Sequence, residues 1–301
     1  CQLSDLLLVC ILFSALGRFI FEDWRIALSG GLSIVTVFAV LFNILNLNAF
    51  VDMRLSLLLH ILALCWAFKI IFSGENLAVF IRDFKRVDFF IVLIAGLPFL
   101  PYLFSPAPPD ADITTQIEMI GYLFQGQDIT NVKTGFGDET YYIRYPLGFA
   151  GLGYFVSLVL NIRGSEASLI LWYLCYLIFV FNFHLLAKSI VGKINSYFIV
   201  MLALTPAITG YLGLHGGQVQ EVMAYSLCLY TLFLFRSKYL SWSSLSFAAA
   251  IVIHPMVVLP FSLVFAYYWL KNLSINKSFI VSNLVLLMAV LYVGLTTLGS
   301  D

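Results

Sequence analysis

Ionisable side chains concentrate in one polar segment, residues 106–145, of a chain that is otherwise strongly apolar. The chain is 61% hydrophobic and only 11% charged. The segment nevertheless contains Asp110, Asp112, Glu118, Asp128, Lys133, Asp138, Glu139 and Arg144. A carboxylate at a membrane surface can remove a proton from a substrate, and an arginine can grip a phosphate through paired hydrogen bonds. We therefore expect the chemistry of this protein in segment 106–145.

The first candidate for acid–base chemistry is Asp112. Pro106, Pro108 and Pro109 end the apolar run before it and force an extended path, so Asp112 stands where a helix N-cap belongs. A general base and a plain helix cap are both open readings of this carboxylate. Asp110 is either a second carboxylate of the site or a residue that keeps the loop soluble.

The residues after Asp112 have the spacing of a short amphipathic helix. Apolar side chains recur at i, i+4, i+7 and i+11, at Ile113, Ile117, Ile120 and Phe124. Such a helix is suited to lie on a bilayer surface, with Glu118 on its wet face. We expect it to end at Gly126 and to be followed by a polar stretch, 127–140, in which Gly135 and Gly137 form turns.

Arg144 is the main candidate for holding a phosphate. It lies in the sequence Tyr-Tyr-Ile-Arg-Tyr-Pro-Leu-Gly, residues 141–148, with Tyr142 and Tyr145 beside it. An arginine among tyrosines at the mouth of a membrane is also an ordinary interfacial anchor. Taken alone, the two readings are about equally supported.

Three further polar residues are candidates. Glu221 begins an apolar run, where an ionisable group either marks function or benefits from the helix dipole. His215 precedes it in the turn 213–221 and is a candidate phosphate ligand or a solvated loop residue. His254, followed by Pro255, interrupts another apolar run and is a candidate substrate contact or a buried structural histidine.

The elements that must position these residues are predicted membrane helices. Mean hydropathy is +0.98, and apolar runs of about bilayer length indicate spanning helices. They lie near residues 4–21, 26–45, 56–72, 89–104, 167–186, 197–212, 219–235 and 278–298. The runs 145–160 and 245–270 are apolar but ambiguous. The fold class is therefore predicted as an all-α polytopic membrane protein.

Basic residues predict the orientation of the helices. Lys and Arg are enriched in cytoplasmic loops, so the loop with Arg82, Lys85 and Arg86 is placed in the cytoplasm and segment 106–145 on the far side. If 145–160 does not span and 245–270 is a short hairpin, three basic pairs also fall in the cytoplasm: Lys188/Lys193, Arg236/Lys238 and Lys271/Lys277. The turn 213–221 then shares the outer face with segment 106–145.

The order of these features resembles the GT-C superfamily of membrane glycosyltransferases, in particular the branch of protein O-mannosyltransferases and aminoarabinose transferases. In spacing and residue type, Asp112, Gln116 and Gly126 resemble the first acid of that branch and the polar residue and glycine that follow it. Residues 141–147 resemble its Tyr-x-x-Lys-Pro-Pro-Leu pattern, with Arg144 in place of Lys and Tyr145 in place of the first Pro. The Asp-Glu pair common at the first acid is absent, because Ile113 follows Asp112.

The resemblance implies a GT-C-like helical bundle with an extracytoplasmic loop that carries amphipathic helices. Residues 88–301 would be the catalytic module, with outer loop 106–145, and residues 1–87 would be additional N-terminal transmembrane helices. The start at Cys1 and the end after an apolar run are compatible with a fragment that lacks a C-terminal part.

The resemblance also implies an activity: transfer of a sugar from a polyprenyl or dolichyl phosphate to an acceptor hydroxyl, with inversion. The catalytic group would be Asp112, Glu221 and Asp110. The phosphate and substrate group would be Arg144, Tyr145, Tyr142, His215 and His254. The acceptor is a lipid, a glycan or a protein, and the membrane is a bacterial inner membrane or the endoplasmic reticulum, with the active site on its extracytoplasmic face.

Other functions are less consistent with the sequence. A transporter or flippase for a lipid-linked or anionic substrate is the main alternative, although no repeat of two similar halves is evident. A non-catalytic assembly subunit would leave Asp112, Arg144 and Glu221 apart. Sixteen basic and sixteen acidic residues without a basic tract argue against nucleic acid as a partner. No metal-ligand spacing is present, and Mg²⁺ or Mn²⁺ stays open only as a cofactor of the implied reaction.

Overall fold

A computed structural model describes the chain over residues 2–45, 58, 60–63, 65–66, 68–69, 78–79, 90–91, 96–97, 100–104, 111–125, 133–136, 139–142, 147–192, 198, 219–271 and 276–298. The α-helices in these ranges are α1 (Gln2–Gly17), α2 (Trp24–Ile44), α3 (Leu100–Leu103), α4 (Ala111–Phe124), α5 (Gly148–Leu160), α6 (Gly164–Val191), α7 (Val219–Leu234), α8 (Ser243–Ile253), α9 (Pro255–Lys271) and α10 (Lys277–Leu298). Two strands, β1 (Lys133–Phe136) and β2 (Glu139–Tyr142), lie between α4 and α5.

Three of these helices are long and apolar enough to cross a membrane, and they mark the chain as a membrane protein. They are Trp24–Ile44, Gly164–Val191 and Lys277–Leu295. The predicted spans at 4–21 and 219–235 are shorter in the structure, since α1 and α7 each have 16 residues and are about 24 Å long. The predicted spans at 56–72 and 89–104 are described only in part, and nearly all of 197–212 lies outside the described residues.

Helices α6 and α7 run parallel to each other. Trp172 and Tyr176 of α6 lie beside the start of α7, and Asn182 bonds to Ser226 further along both helices. Phe181 and Leu185 then share a buried cluster with Tyr230 and Leu234. Parallel neighbours agree with the predicted topology, in which the chain returns across the membrane between them.

The apolar run 245–270 is an antiparallel pair of helices, as the hairpin prediction required. Helix α8 ends at Ile253, α9 begins at Pro255, and His254 joins them. The rings of Phe247 in α8 and Phe265 in α9 stack with centroids 4.2 Å apart. Proline lacks the N–H that would continue the α8 ladder, which explains the break at Pro255. Pro260 lies inside α9 and does not end that helix.

Several turns with basic residues meet at one end of the bundle. Lys238 after α7 pairs with Glu22 before α2, and this hydrogen bond lowers the pKa of the Glu22 carboxyl. The ring of Phe235 stacks on Tyr268 near the end of α9, with centroids 5.1 Å apart, and Ser282 of α10 donates a hydrogen bond to the Ser241 carbonyl. We call this region the basic end; the cations at its turns between α1 and α2, α7 and α8, and α9 and α10 are Arg18, Arg25, Arg236, Lys238, Lys271 and Lys277.

Helix α5 is short and buried. It has 13 residues and is about 20 Å long, less than the roughly 30 Å hydrocarbon core of a bilayer. This length agrees with the prediction that 145–160 does not span. Nearly all its side chains are buried against neighbouring helices, mainly α2, α4 and α6.

The all-α prediction is confirmed for the bundle, and the predicted irregular loop between α4 and α5 contains a short β-hairpin. Strands β1 and β2 pair in an antiparallel ladder with Phe136 opposite Glu139 and Lys133 opposite Tyr142. Gly135, predicted in a turn, lies inside β1 opposite Thr140. The sequence 133–142 contains Thr, Phe and Tyr residues, whose preference for extended backbone outweighs the polar character from which we expected irregular loop.

A buried polar group links three helices. Ser29 of α2 donates a hydrogen bond of 2.8 Å to Asn182 Oδ1 of α6. Asn182 Nδ2 donates to the carbonyl and to the hydroxyl oxygen of Ser226 in α7, both at 3.1 Å. All three residues are buried. Hydrogen bonds between membrane helices stabilise the bundle because hydrocarbon offers these groups no other partner.

Asn182→Leu is expected to lower the free energy of unfolding by roughly 0.6–2 kcal/mol, the range of interhelical hydrogen bonds in membranes. Thr231→Val is the matched control, since the buried Thr231 hydroxyl donates within its own helix to the Leu227 carbonyl. Reversible unfolding in mixed detergent micelles measures both. Equal losses in the two variants would mean that the link between helices adds nothing.

Candidate functional site

Glu221 and His254, separated in sequence, face each other in the structure. Glu221 lies in the first turn of α7, and His254 is the joint between α8 and α9. Because α8 runs antiparallel to α7, with Ser246 bonded to the Leu227 carbonyl, its end returns to the start of α7. His254 Nε2 lies 3.8 Å from Glu221 Oε1, and the side chains are 18% and 22% exposed, respectively.

Both side chains keep a partly exposed surface. At 3.8 Å the two atoms form an ion pair only when the imidazole is protonated, and a bound hydroxyl or phosphate oxygen can contact both. The Glu221 carboxylate is also favoured by the positive end of the α7 dipole. The pair is thus able to orient a substrate group or to carry charge next to it.

The segment that follows Arg144 reaches the same place. Gly148, the first residue of α5, is so close to the end of α8 that a Cβ on it would lie 2.4 Å from the Val252 carbonyl oxygen and 2.8 Å from the Ile253 Cα. The backbone N–H of Leu147 donates to the Tyr292 hydroxyl of α10 at 3.4 Å. Only a glycine permits this approach, which brings the start of α5 within two residues of His254.

Helix α4, which carries Asp112, packs on the same helix α5. Ile120 fills the space beside Gly153 and Gly164, and the rings of Phe124 and Tyr154 meet edge to face with centroids 4.8 Å apart. Met119, Ile120 and Leu123 share one buried cluster with Leu147 and Val252. The second half of α4, the residue before α5 and the end of α8 therefore meet in one cluster.

The predicted amphipathic helix is confirmed as α4, with two adjustments. It ends at Phe124, and Glu118 is exposed as expected. Ile120 is buried, but Phe124 is 48% exposed, and Met119 and Leu123 take the inward positions instead. The helix begins at Ala111, so Asp112 is its second residue and not its N-cap.

The remaining predicted site residues are only partly described. Tyr142 is the last residue of β2, and the side chains of Tyr142 and Asp112 lie outside the described residues. Asp110, Arg144, Tyr145 and His215 lie outside them altogether. Their roles stay predictions.

The structure adds two residues that sequence reasoning did not select. Gln220, next to Glu221, is 6% exposed, and its Oε1 has no hydrogen-bond partner within the described part of the chain. Tyr292 contacts the start of α5 through its hydroxyl. A glutamine next to an acid at the start of an apolar run is visible in the sequence and could have been selected. A tyrosine in an apolar run is not distinctive.

Within the described residues, no group of three or more His, Cys, Asp or Glu side chains is arranged to hold a metal ion. The comparisons with known proteins add no assignment: no protein-family model, no curated protein and no solved structure matches this chain. Its site must therefore be interpreted from its own residues and geometry.

Proposed function

We propose that this protein is a multi-pass membrane glycosyltransferase that moves a sugar from a polyprenyl or dolichyl phosphate to an acceptor hydroxyl. The observation that supports the proposal is the meeting of Glu221, His254 and the start of α5 in the structure. In the resemblance to GT-C enzymes, Glu221 corresponds to the second acid and His254 to the polar residue before a proline. The start of α5 directly follows the segment with the phosphate-binding arginine. The non-catalytic alternative depends on whether Asp112, Arg144 and Glu221 meet, and Arg144 lies outside the described residues.

The distribution of charge supports an extracytoplasmic site. The basic end contains the turns between α1 and α2, between α7 and α8, and between α9 and α10, and positive loops face the cytoplasm. Glu221 and His254 lie at the opposite ends of α7 and α8 from these turns. A lipid-phosphate sugar presented on the far leaflet would therefore meet the candidate site.

In the proposed reaction, Asp112 takes the proton of the acceptor hydroxyl. The acceptor oxygen attacks the anomeric carbon of the sugar and forms the new glycosidic bond with inversion. The bond between that carbon and the phosphate oxygen breaks, and its electron pair leaves with the lipid phosphate. Arg144, with Tyr142 and Tyr145 nearby in sequence, would stabilise the charge that grows on this leaving group.

Glu221 and His254 have supporting roles in this scheme. The Glu221 carboxylate accepts a hydrogen bond from the acceptor and orients it. The His254 imidazole, 3.8 Å from Glu221, contacts the donor phosphate together with His215. Asp110 would assist Asp112. The acceptor class is a lipid, a glycan or a protein, and a divalent cation is a further candidate on the phosphate.

The first experiment measures polyprenyl-phosphate release by the purified protein from a panel of polyprenyl-phosphate sugars with candidate acceptors. Glu221→Gln is expected to lower the rate about 10–100-fold, because a hydrogen bond to a charged group contributes roughly 1.5–3 kcal/mol. Glu166→Gln is the matched control: Glu166 is also in the first turn of a helix, but it pairs with Arg163 at 2.7 Å.

Each outcome has a distinct meaning. Release by the parent protein and by Glu166→Gln, with a deficit in Glu221→Gln, supports the transferase and the site. Equal rates in all three proteins would keep the activity but remove Glu221 from the site. Binding of a labelled lipid sugar without release from any donor would argue against the transferase and for a transporter.

A further inference from the structure

We propose that the basic end of the bundle binds an anionic phospholipid, with one acyl chain in a groove between α1, α2 and the start of α8. This site lies away from Glu221 and His254, and it does not depend on the proposed function. The lipid is defined by its chemistry: a phosphate headgroup with net negative charge and a long alkyl chain.

The groove has the character of an alkyl-chain site. Its volume is about 370 Å³, and apolar side chains line it, among them Leu16 and Phe19 near the end of α1, Val37 and Leu41 of α2, and Trp242 before α8. α2 is one of the helices long enough to cross a membrane, so the groove is expected to face hydrocarbon. A void at this surface would be filled by the nearest alkyl chains.

Cations and aromatic rings lie close in sequence to the groove residues at the basic end. Arg18 lies between Leu16 and Phe19 in sequence, with its guanidinium carbon 5.1 Å from the centroid of the Trp24 ring. Lys238 Nζ lies 5.1 Å from the centroid of the Tyr239 ring, close in sequence to Trp242. Arg, Lys, Trp and Tyr together mark the level of the lipid headgroups.

The charge at this end fits an anion. Its acidic side chains among the described turn residues are Glu22 and Asp23, and these pair with Lys238 and Arg25. The described turns therefore carry more cations than acids. The cations in excess are Arg18, Arg236, Lys271 and Lys277. A negative surface in the cytoplasmic leaflet is the usual partner of such basic clusters.

An amphiphile accounts for both features at once. A soluble anion would use the cations but not the apolar groove, and a neutral alkyl chain would use the groove but not the cations. Arg18 lies between the groove residues Leu16 and Phe19 in sequence, so a phospholipid whose acyl chain fills the groove would have a cation close to its phosphate. This proximity favours a phospholipid as the occupant.

The test is native mass spectrometry of the full chain in detergent, titrated with phosphatidylglycerol or with phosphatidylcholine of identical acyl chains. Phosphatidylglycerol is expected to bind more tightly. Arg236→Gln and Arg18→Gln should each weaken the binding of phosphatidylglycerol about fivefold, the effect of one basic residue near an anionic membrane. Both variants should leave the binding of phosphatidylcholine unchanged. Arg18→Lys should restore binding, which excludes a purely structural effect of Arg18.

Two matched controls complete the design. Arg163→Gln removes an exposed cation at the start of α6 and should have no effect. Val37→Phe fills the groove and should weaken the binding of both lipids. Leu284→Phe, on an exposed face of α10, should not weaken it. Equal affinity for the two lipids, or an equal effect of Arg163→Gln, would overturn the headgroup site. If Val37→Phe bound both lipids as well as the parent protein does, the acyl chain would not lie in this groove.

Discussion

Asp112→Asn is expected to lower the rate of polyprenyl-phosphate release by about 10²–10⁴-fold, the usual contribution of a general base. Asparagine keeps the size of the side chain and its polar character, but it cannot accept the proton of the acceptor hydroxyl. The rate should therefore fall while the lipid-sugar donor still binds. Single-turnover release from a labelled donor, together with its equilibrium binding, measures the two effects separately.

Glu118→Gln is the control for this variant. Glu118 lies on the same helix α4 and is exposed, so its change tests the general effect of removing one negative charge from this surface. It should leave both the rate and the binding unchanged. If Asp112→Asn retained the full rate, Asp112 would be a structural residue of α4, and the base would have to be sought elsewhere.

Gly148→Ala should impair both stability and activity. The added Cβ would lie 2.4 Å from the Val252 carbonyl oxygen, so α5 must move away from the end of α8. Overpacking of this kind lowers the free energy of unfolding by about 1–3 kcal/mol. The same movement displaces the start of α5 from His254, and a shift of roughly 1 Å in a positioned group can reduce the rate about 10²-fold.

Gly121→Ala provides the comparison. Gly121 is also a helical glycine, in α4, but apart from its chain neighbours and its own helix backbone no atom of the described residues lies within 4 Å of an added Cβ. This variant should gain roughly 0.5–1 kcal/mol of stability, since alanine is the better helix former. Denaturant titration and donor turnover check both variants. Full activity in a folded Gly148→Ala protein would show that the contact between α5 and α8 does not position the site.

Local sequence was sufficient for most of the helices. Bilayer-length apolar runs predicted α2, α6 and α10, and the spacing of Ile113, Ile117 and Ile120 predicted α4. Pro255 predicted the break between α8 and α9. These features depend on backbone geometry and on side-chain periodicity within one segment, which neighbouring residues determine. The β-hairpin was missed because its strands are short and polar, so that no period of two stood out.

The sequence by itself determined that this chain is helical and membrane-embedded, and which polar residues interrupt its apolar runs. Only the tertiary structure decided which of them meet. The antiparallel packing of α7 and α8 places His254 3.8 Å from Glu221, and the glycine at 148 lets α5 begin against Val252. Such contacts join residues far apart in the chain through the fit of two helix surfaces, and no local pattern of residue types encodes that fit.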